Sequence, residues 1–276
     1  MTPPLYLVDE LPAGESGELA GPEGRHAVTV RRTRVGERLL LGDGRGGLAT
    51  AEVTGVGRDA LRLSIVDRRR VAAPCPTVTL AQALVKGERG ELAVELATEA
   101  GVDAVLPWRA ARCVARWDDG PRGDKALARW RSTVLAAAKQ SRRAWLPEVS
   151  EQVGTRALAA RCAAAGAAGG GALVLHEAAT VPIAAAVREL AVPSAVTTTV
   201  PLTVPATMPT TMPTAAELVL VVGPEGGITD EELEQLCAAG ARAVRLGPQV
   251  LRASTAAAVA LGALGVLTER WIAYSE

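Results

Sequence analysis

Over residues 1–70 apolar side chains recur in short runs, LYLVD, HAVTVRR, RLLLGDG, LATAEVTGV and LRLSIVD, each bounded by Gly and Asp clusters. Alternation of this kind with turn residues between predicts five short strands, and their close spacing predicts a small β-barrel. Asp43-Gly44 marks a hairpin between Leu39–Leu41 and Leu48–Val53, and GRGG lengthens its loop beyond the two-residue form. Near Val71–Pro76 the period changes. TVTLAQAL predicts a strand; ELAVELATEA follows with Leu92 and Leu96 at helical spacing and stops at Gly101, a natural residue for a helix end. VDAVLPW is the next strand. A helix from about Asp124 is expected to bury Leu127, Trp130, Val134, Leu135 and Ala138 on one face, with Arg129, Arg131, Lys139, Arg142 and Arg143 mostly away from it. ALVLHE and ELVLVVG are further strands, and an Ala-rich helix starts near Ser254. Strands alternating with helices predict an α/β domain with a mainly parallel sheet, so the expected division is 1–72 for the barrel and 73–276 for the α/β domain.

Two segments have the composition of connectors. AAAGAAGGGA (163–172) is rich in small residues, and Ala191–Ala216 holds five Pro and eight Thr with no charge, which predicts a loop insert without chemistry of its own. A length of 276 residues agrees with two domains. Thirty acidic and thirty basic residues balance to zero, which by itself points to no polyanionic partner. The distribution changes that picture. Residues 108–145 carry ten Arg or Lys against three Asp, whereas residues 217–240 carry six acids and no base. Five Arg, one His and one Glu lie between Arg25 and Arg38, an edge suited either to nucleic acid or to plain solvation.

Cys75, Cys113, Cys162 and Cys237 lie 38 or more residues apart with no CxxC pair, so no metal site is expected and the thiols suit a reducing compartment. The N-terminus has no basic and apolar leader pattern, and no apolar run reaches membrane-spanning length. A soluble cytoplasmic protein is expected.

The chemistry concentrates at strand ends. VVGPEGGITDEEL is a strand running into a Gly/Pro turn and then a helix, the position where open α/β sheets bind ligands. Gly223, Gly226 and Gly227 would let the backbone approach a ligand, and Pro224 stiffens the turn. A phosphate cradle is the rival reading. Against it, Thr229 and Glu232 form a capping-box pattern, Ile228 and Leu233 a hydrophobic staple, and Asp230 and Glu231 make the helix start negative. LGPQVLRASTA repeats the design with Gly247-Pro248 followed by Arg252 and Thr255, and LVLHE ends a strand at His176 and Glu177.

GPEGG before an acidic helix, with LGPxVLRxxTA after it and a basic region and a barrel ahead, resembles the bacterial 16S rRNA uracil-N3 methyltransferases of the knotted SPOUT superfamily. The resemblance extends over nearly the whole chain, including His26, Lys86-Gly87-Glu88-Arg89, Arg112-Cys113 and Gln140 with Arg143. It implies a PUA-like barrel and a methyltransferase domain whose C-terminal segment forms a trefoil knot. It implies S-adenosylmethionine held bent in that knot by Leu175, His176 and Glu177, by Val222, Gly223, Pro224, Glu225 and Gly226, and by Leu246, Gly247, Val250, Leu251 and Arg252. The implied substrate is uridine 1498 of 16S rRNA in the 30S subunit, and the implied assembly a homodimer. RNA contacts are expected from Arg25, Arg31, Arg32, Arg34, Lys86, Arg89, Arg112, Arg142 and Arg143.

Four positions depart from the family pattern. Ser254 and Lys139 stand where glutamates are usual, Gln249 where an arginine is usual and Glu95 where a lysine is usual. Uracil N3 must lose a proton while negative charge on the ring oxygens is stabilised. Arg252 is the expected stabiliser, Ser254 or Thr255 an orienting group, and Glu225 and His176 are the candidate bases. A catalytically silent RNA-binding assembly factor and an α/β enzyme using a nucleotide are the competing readings.

Overall fold

The computed structural model describes residues 2–190, 200–201, 216–268 and 270–271, which form two compact units. The first comprises residues 2–73, 138–146 and 200–201. The second comprises 74–137, 147–190, 216–268 and 270–271.

The first unit contains β1 (Leu5–Leu7), β2 (Ser16–Leu19), α1 (Gly21–Arg25), β3 (Arg38–Gly42), β4 (Gly47–Val56), β5 (Leu61–Arg70) and, from far later in the chain, β11 (Val200–Pro201). The sheet runs β1-β3-β4-β5-β11, with β2 also paired to β5. Alternation works as expected in β5, where Leu61 and Leu63 are buried while Arg62 and Ser64 are exposed. Those leucines join Tyr6, Leu19, Leu39, Leu41, Ala49 and Val53 in one core. Among the described residues β1 and β2 do not pair with each other, so the expected barrel is seen as a sheet with two ends. The hairpin at Asp43 is present: its carboxylate accepts the Arg45 and Gly47 amides at 2.7 and 2.9 Å, which closes the longer loop.

HAVTVRR is not a strand. Pro22 near the start of α1 favours a helix, and the chain continues from α1 into a π-helical turn, His26–Val30. Ala27 is wholly buried while Val30 is 66% exposed; the core thus takes one small residue, and packing overrides the β-propensity of the valines. The basic stretch is therefore a helical turn and the loop after it, with Arg25, Arg31, Arg32 and Arg34 all exposed, rather than an edge strand. Residues 138–146 also belong to this unit. Lys139 donates to both Glu23 carboxylate oxygens at 2.6 and 2.8 Å and lies 5.9 Å from the Tyr6 ring centroid, so its positive charge has a local partner.

The second unit is a parallel sheet of order β13-β10-β12-β6-β7-β8, with β9 also on β7. Its strands are β6 (Thr77–Ala83), β7 (Ala104–Arg109), β8 (Glu148–Val149), β9 (Val153–Gly154), β10 (Gly171–Leu175), β12 (Glu217–Val222) and β13 (Ala241–Val244). Helices α2 (Arg89–Glu99), α5 (Ile183–Glu189) and α7 (Ala253–Leu267) pack as one group, and α4 (Thr155–Ala167) packs with α6 (Asp230–Ala238) as another. Nearly continuous burial of β12, Leu218 to Val222, fits a strand covered on both faces. Gly101, with φ of 97°, follows α2 as its helix stop.

Helix α3 (Pro121–Gln140) begins one turn earlier than expected and buries Leu127, Trp130, Val134 and Ala138. Leu135 is 40% exposed, one position off the buried stripe. Arg142 and Arg143 lie beyond the end of α3. The small-residue run 163–172 is not a connector. Ala163 to Ala167 complete α4, Gly171 and Ala172 open β10, and only three residues turn between them. Alanines there are helix formers, and the missing Cβ of Gly170, which would meet the Glu217 carbonyl, lets the turn pass against β12. Of the expected Pro/Thr loop, Val200–Pro201 is a strand pairing with Arg69 and Arg70, and the remaining residues before Ala216 lie outside the described ones. No helix among the described residues is long and apolar enough to cross a membrane.

Candidate active site

All strands of the second sheet run in parallel, so their carboxyl ends lie at one edge. Register makes this sharper. Leu175 of β10 is paired with Val222 of β12 and with Val244 of β13, so the loops beginning at His176, Gly223 and Arg245 leave the sheet at the same level. The loops after the neighbouring strands β10 and β13 are also joined, because the Arg245 amide donates to the Val181 carbonyl at 2.8 Å and the Ile183 amide to the Arg245 carbonyl at 3.0 Å.

Between these loops lies a cavity of about 570 Å³. Its wall contains Leu175, His176 and Glu177; Val222, Gly223, Pro224, Glu225 and Gly226; and Leu246, Gly247, Val250, Leu251 and Arg252. Every residue expected at a cofactor is thus brought to one place. Ser254, 5% exposed, also borders the cavity from the first turn of α7, whereas Thr255 is not in the wall and its hydroxyl donates to the Arg252 carbonyl at 3.2 Å. Arg252 is exposed and forms no ion pair with a described residue.

The start of α6 is closed by its own side chains. The Glu232 amide donates to Thr229 Oγ1 at 3.2 Å and the Thr229 amide to Glu232 Oε2 at 3.3 Å, a reciprocal cap of the kind worth about 1 kcal/mol. Asp230, Glu231 and Glu232 make this first turn acidic. Backbone and Thr229 hydrogen bonds, with Arg112 nearby, hold the Glu231 carboxyl below its usual range. A phosphate would meet negative charge, and the Thr229 and Glu232 amides are already in use.

The glycines of this turn are required by the protein itself. A Cβ on Gly223 would stand 2.7 Å from Ile228 Cγ1, so Gly223 makes room for the apolar side chain that folds back from the helix start. On Gly226 it would stand 3.2 Å from Arg112 Cβ and 3.3 Å from the Arg112 carbonyl, and Gly227 has φ of 76°. Gly247 differs: its Cβ would meet nothing nearer than Gln249 Oε1 at 3.8 Å, so the lack of a side chain there keeps cavity volume free.

The basic residues divide among several places. Arg89 and Arg112 are in the cavity wall, Arg89 at 3.8 Å from Glu225 and Arg112 donating to the Gly226 carbonyl at 3.2 Å. Lys86 is exposed in the loop after β6. Arg25, 3.8 Å from Asp59, and Arg31, Arg32 and Arg34 are on the surface of the first unit. Arg142 is engaged with that unit's own backbone, donating to the Pro3 carbonyl at 2.8 Å and the Thr2 carbonyl at 3.4 Å, and Arg143 beside it is half-buried.

Sequence patterns passed over Val85 and Arg245, which also line the cavity, and read Asp230, another wall residue, only as part of the acidic helix start. The placement of Arg245 between a strand end and Gly247-Pro248 was the available signal. Burial pushes the Cys113 thiol up, with Glu232 and Glu225 adding to the effect, so this cysteine beside the site stays a neutral thiol. Among the described residues no group of three His, Cys, Asp or Glu is arranged to hold a metal ion.

Comparison with known proteins matches residues 72–265 to a family described as the RNA methyltransferase domain and residues 19–66 to the RNA methyltransferase PUA domain. The chain is 52% identical over 271 residues to ribosomal RNA small subunit methyltransferase E of Mycobacterium tuberculosis, covering 97% of this chain and 93% of the relative. The Bacillus subtilis protein of that name is 28% identical over 252 residues, covering 91% and 90%. Among solved structures, ribosomal RNA small subunit methyltransferase E of Neisseria gonorrhoeae bound to S-adenosyl methionine aligns with TM-score 0.75 at 26% identity, covering 96% of this chain and 98% of that one. A putative methyltransferase of Legionella pneumophila in complex with the same cofactor aligns with TM-score 0.73 at 26% identity, covering 96% and 98%. Matched at this identity along almost its whole length, the chain belongs to the ribosomal RNA small subunit methyltransferase E family.

Proposed function

We propose that the chain transfers a methyl group from S-adenosylmethionine to N3 of a uridine in 16S rRNA, by family uridine 1498. The observation that carries this reading is the single cavity formed where three aligned strand ends open into glycine-containing loops beside a self-capped, acidic helix start. These residues fit the cofactor. Gly247 leaves open volume, Leu175, Val222 and Leu246 supply apolar wall and backbone, and the capped start of α6 suits a cationic sulfonium better than a phosphate. When bound, the cofactor supplies an electrophilic methyl group. The chain's part is to hold the nucleophile in line and to stabilise charge on the uracil ring.

Arg252 is assigned that stabilising role because it borders the cavity without an ion-pair partner among the described residues, and Ser254, two residues later, is the orienting hydroxyl. Glu225 is the better candidate for the base. His176 Nδ1 accepts the Ala178 amide at 3.3 Å, so its neutral ring carries the proton on Nε2 and offers a donor. Arg25, Arg31, Arg32, Arg34, Lys86 and Arg89 are proposed to meet the RNA backbone.

The proposal includes cytoplasmic 30S subunits as substrate, an expected division at residues 72 and 73, and the family's trefoil knot. A homodimer is supported by the exposure of Val250, Val259 and Val266, at 76, 48 and 65%. Two measurements test the function. S-adenosylmethionine, and not ATP, should raise the thermal midpoint. The protein should also methylate 30S subunits from a strain lacking the modification. Cofactor binding without transfer would leave the silent assembly factor, a reading that Ser254 in place of a glutamate permits.

A further inference from the structure

Glu232 does more than cap a helix. It is 7% exposed, and besides the Thr229 amide its carboxylate accepts the Ala111 amide at 2.8 Å and the Thr155 hydroxyl at 2.7 Å. Thr155 in turn accepts from Trp108 Nε1 at 3.2 Å. One buried carboxylate therefore joins the start of α6, the start of α4 and the turn that follows β7. That turn carries Arg112, whose Cβ and carbonyl lie against Gly226 so closely that a methyl group there would have to displace them. Two separate ties, Glu232 to Ala111 and Gly226 to Arg112, hold the same turn against the glycine loop.

Arg112 borders the cavity and uses its guanidinium for one hydrogen bond, to the Gly226 carbonyl, with no ion pair among the described residues. Most of its five N–H donors remain for an anion. The acidic first turn of α6 rejects phosphate at the helix start, and of the arginines in the cavity wall Arg112 is the one tied to the glycine loop beside that turn, so on this side of the rim it is Arg112 that can take negative charge.

We propose that Glu232 is a positioning residue that sets Arg112 at the cavity rim, where Arg112 receives a backbone phosphate of the RNA segment entering the site. The inference rests on the methyltransferase reading, and deepens it by separating RNA placement from cofactor binding.

The test compares E232A, R112A, the double variant, T229A and the conservative E232Q, each checked for folding by circular dichroism. Readouts are KM and kcat for 30S subunits, calorimetric affinity for S-adenosylmethionine, and cofactor-free association with 30S subunits measured by sedimentation at several salt concentrations. R112A should raise KM about tenfold and lower the salt slope by about one. E232A should raise KM similarly, and the double variant should be no worse than R112A, because the two residues act as one. E232Q, which keeps an acceptor for the Ala111 amide, should restore most of the loss. T229A breaks the cap yet leaves Glu232 on Ala111 and Thr155, and should leave KM within about twofold. Cofactor affinity should stay within a few-fold throughout.

Losses that multiply in the double variant, or a T229A effect equal to that of E232A, would overturn the positioning role. If E232A does not fold, T155V takes its place with the same expectation: a raised KM in the wild-type background and none once Arg112 is Ala. Wild-type protein that associates with 30S subunits in this Arg112-dependent way but transfers no methyl group would sink only the functional reading. Association that ignores Arg112 would sink the inference.

Discussion

The first turn of helix α7 places Ser254 at the cavity, and beyond the far end of the helix Arg270 is buried with 8% exposure. Its guanidinium donates to the Gly101 carbonyl at 2.8 Å, to Asp103 Oδ2 at 2.8 Å, and to the Pro76 carbonyl. Arg270 thus ties the residues after the last helix to the chain entering β6 and to the turn between α2 and β7. Arg270→Ala removes all three bonds. Breaking a buried ion pair by deleting one partner costs about 3–5 kcal/mol. Asp103 keeps the Val78 amide at 2.8 Å, so its charge is not left bare and the lower end, about 3 kcal/mol, is expected. For a unit of this size that corresponds to a midpoint lower by about 6–12 °C. Thermal unfolding of wild type, R270A, Asp103→Asn and the double variant measures both the loss and the coupling. A shift under about 2 °C for R270A, or strictly additive losses, would refute the view that this pair holds the end of the chain in place.

Three further outcomes are expected. Arg252→Ala should lower kcat by about 10²–10³-fold while calorimetric affinity for S-adenosylmethionine stays within a few-fold; equal losses in both would make Arg252 a binding residue. Burial, with Glu217 adding to it, pushes the Cys162 thiol from 9.0 up to about 11. Folded protein therefore keeps a proton that the unfolded chain releases, and stability falls as pH rises from about 9 to 11, by at most roughly 2–3 kcal/mol. Cys162→Ala should flatten that part of the pH profile of urea midpoints, and parallel profiles would count against it. Gly46→Ala places a Cβ at a φ of 95°, 2.6 Å from the Val71 carbonyl and 2.7 Å from the Trp145 ring, and should destabilise the first unit by about 2–5 kcal/mol. Gly36→Ala, with φ of 86° but open space around it, should cost only about 1–2 kcal/mol; equal losses in urea titration would show that backbone conformation alone matters.

What was legible in the sequence was whatever local pattern and local chemistry decide. The capping box at Thr229 and Glu232 needs only four consecutive residues, and it is formed. LRLSIVD alternates from Leu61 to Ser64, where one of its faces meets the core, and ELVLVVG is apolar throughout because both its faces are covered. HAVTVRR misleads for the opposite reason: its alternation is real, but Pro22 and the burial of Ala27 commit the segment to helical turns. The run 163–172 misleads because alanine and glycine serve equally a flexible linker and a close-packed helix-to-strand turn, and only the proximity of Glu217 to Gly170 decides between them.

The same limit applies at the site. A glycine in a turn announces that something stands too near for a side chain, yet its identity depends on chain far away. For Gly226 that neighbour is Arg112, more than a hundred residues earlier, and for Gly223 it is Ile228, five residues later. GPEGG can therefore be read as a place where backbone comes close, while what it approaches within the protein is itself, and Gly247 is the position where a missing side chain leaves space for a ligand. The division between the two kinds of glycine yields unequal expectations: alanine at Gly226 should first disturb Arg112 and the RNA, and alanine at Gly247 should first disturb the cofactor.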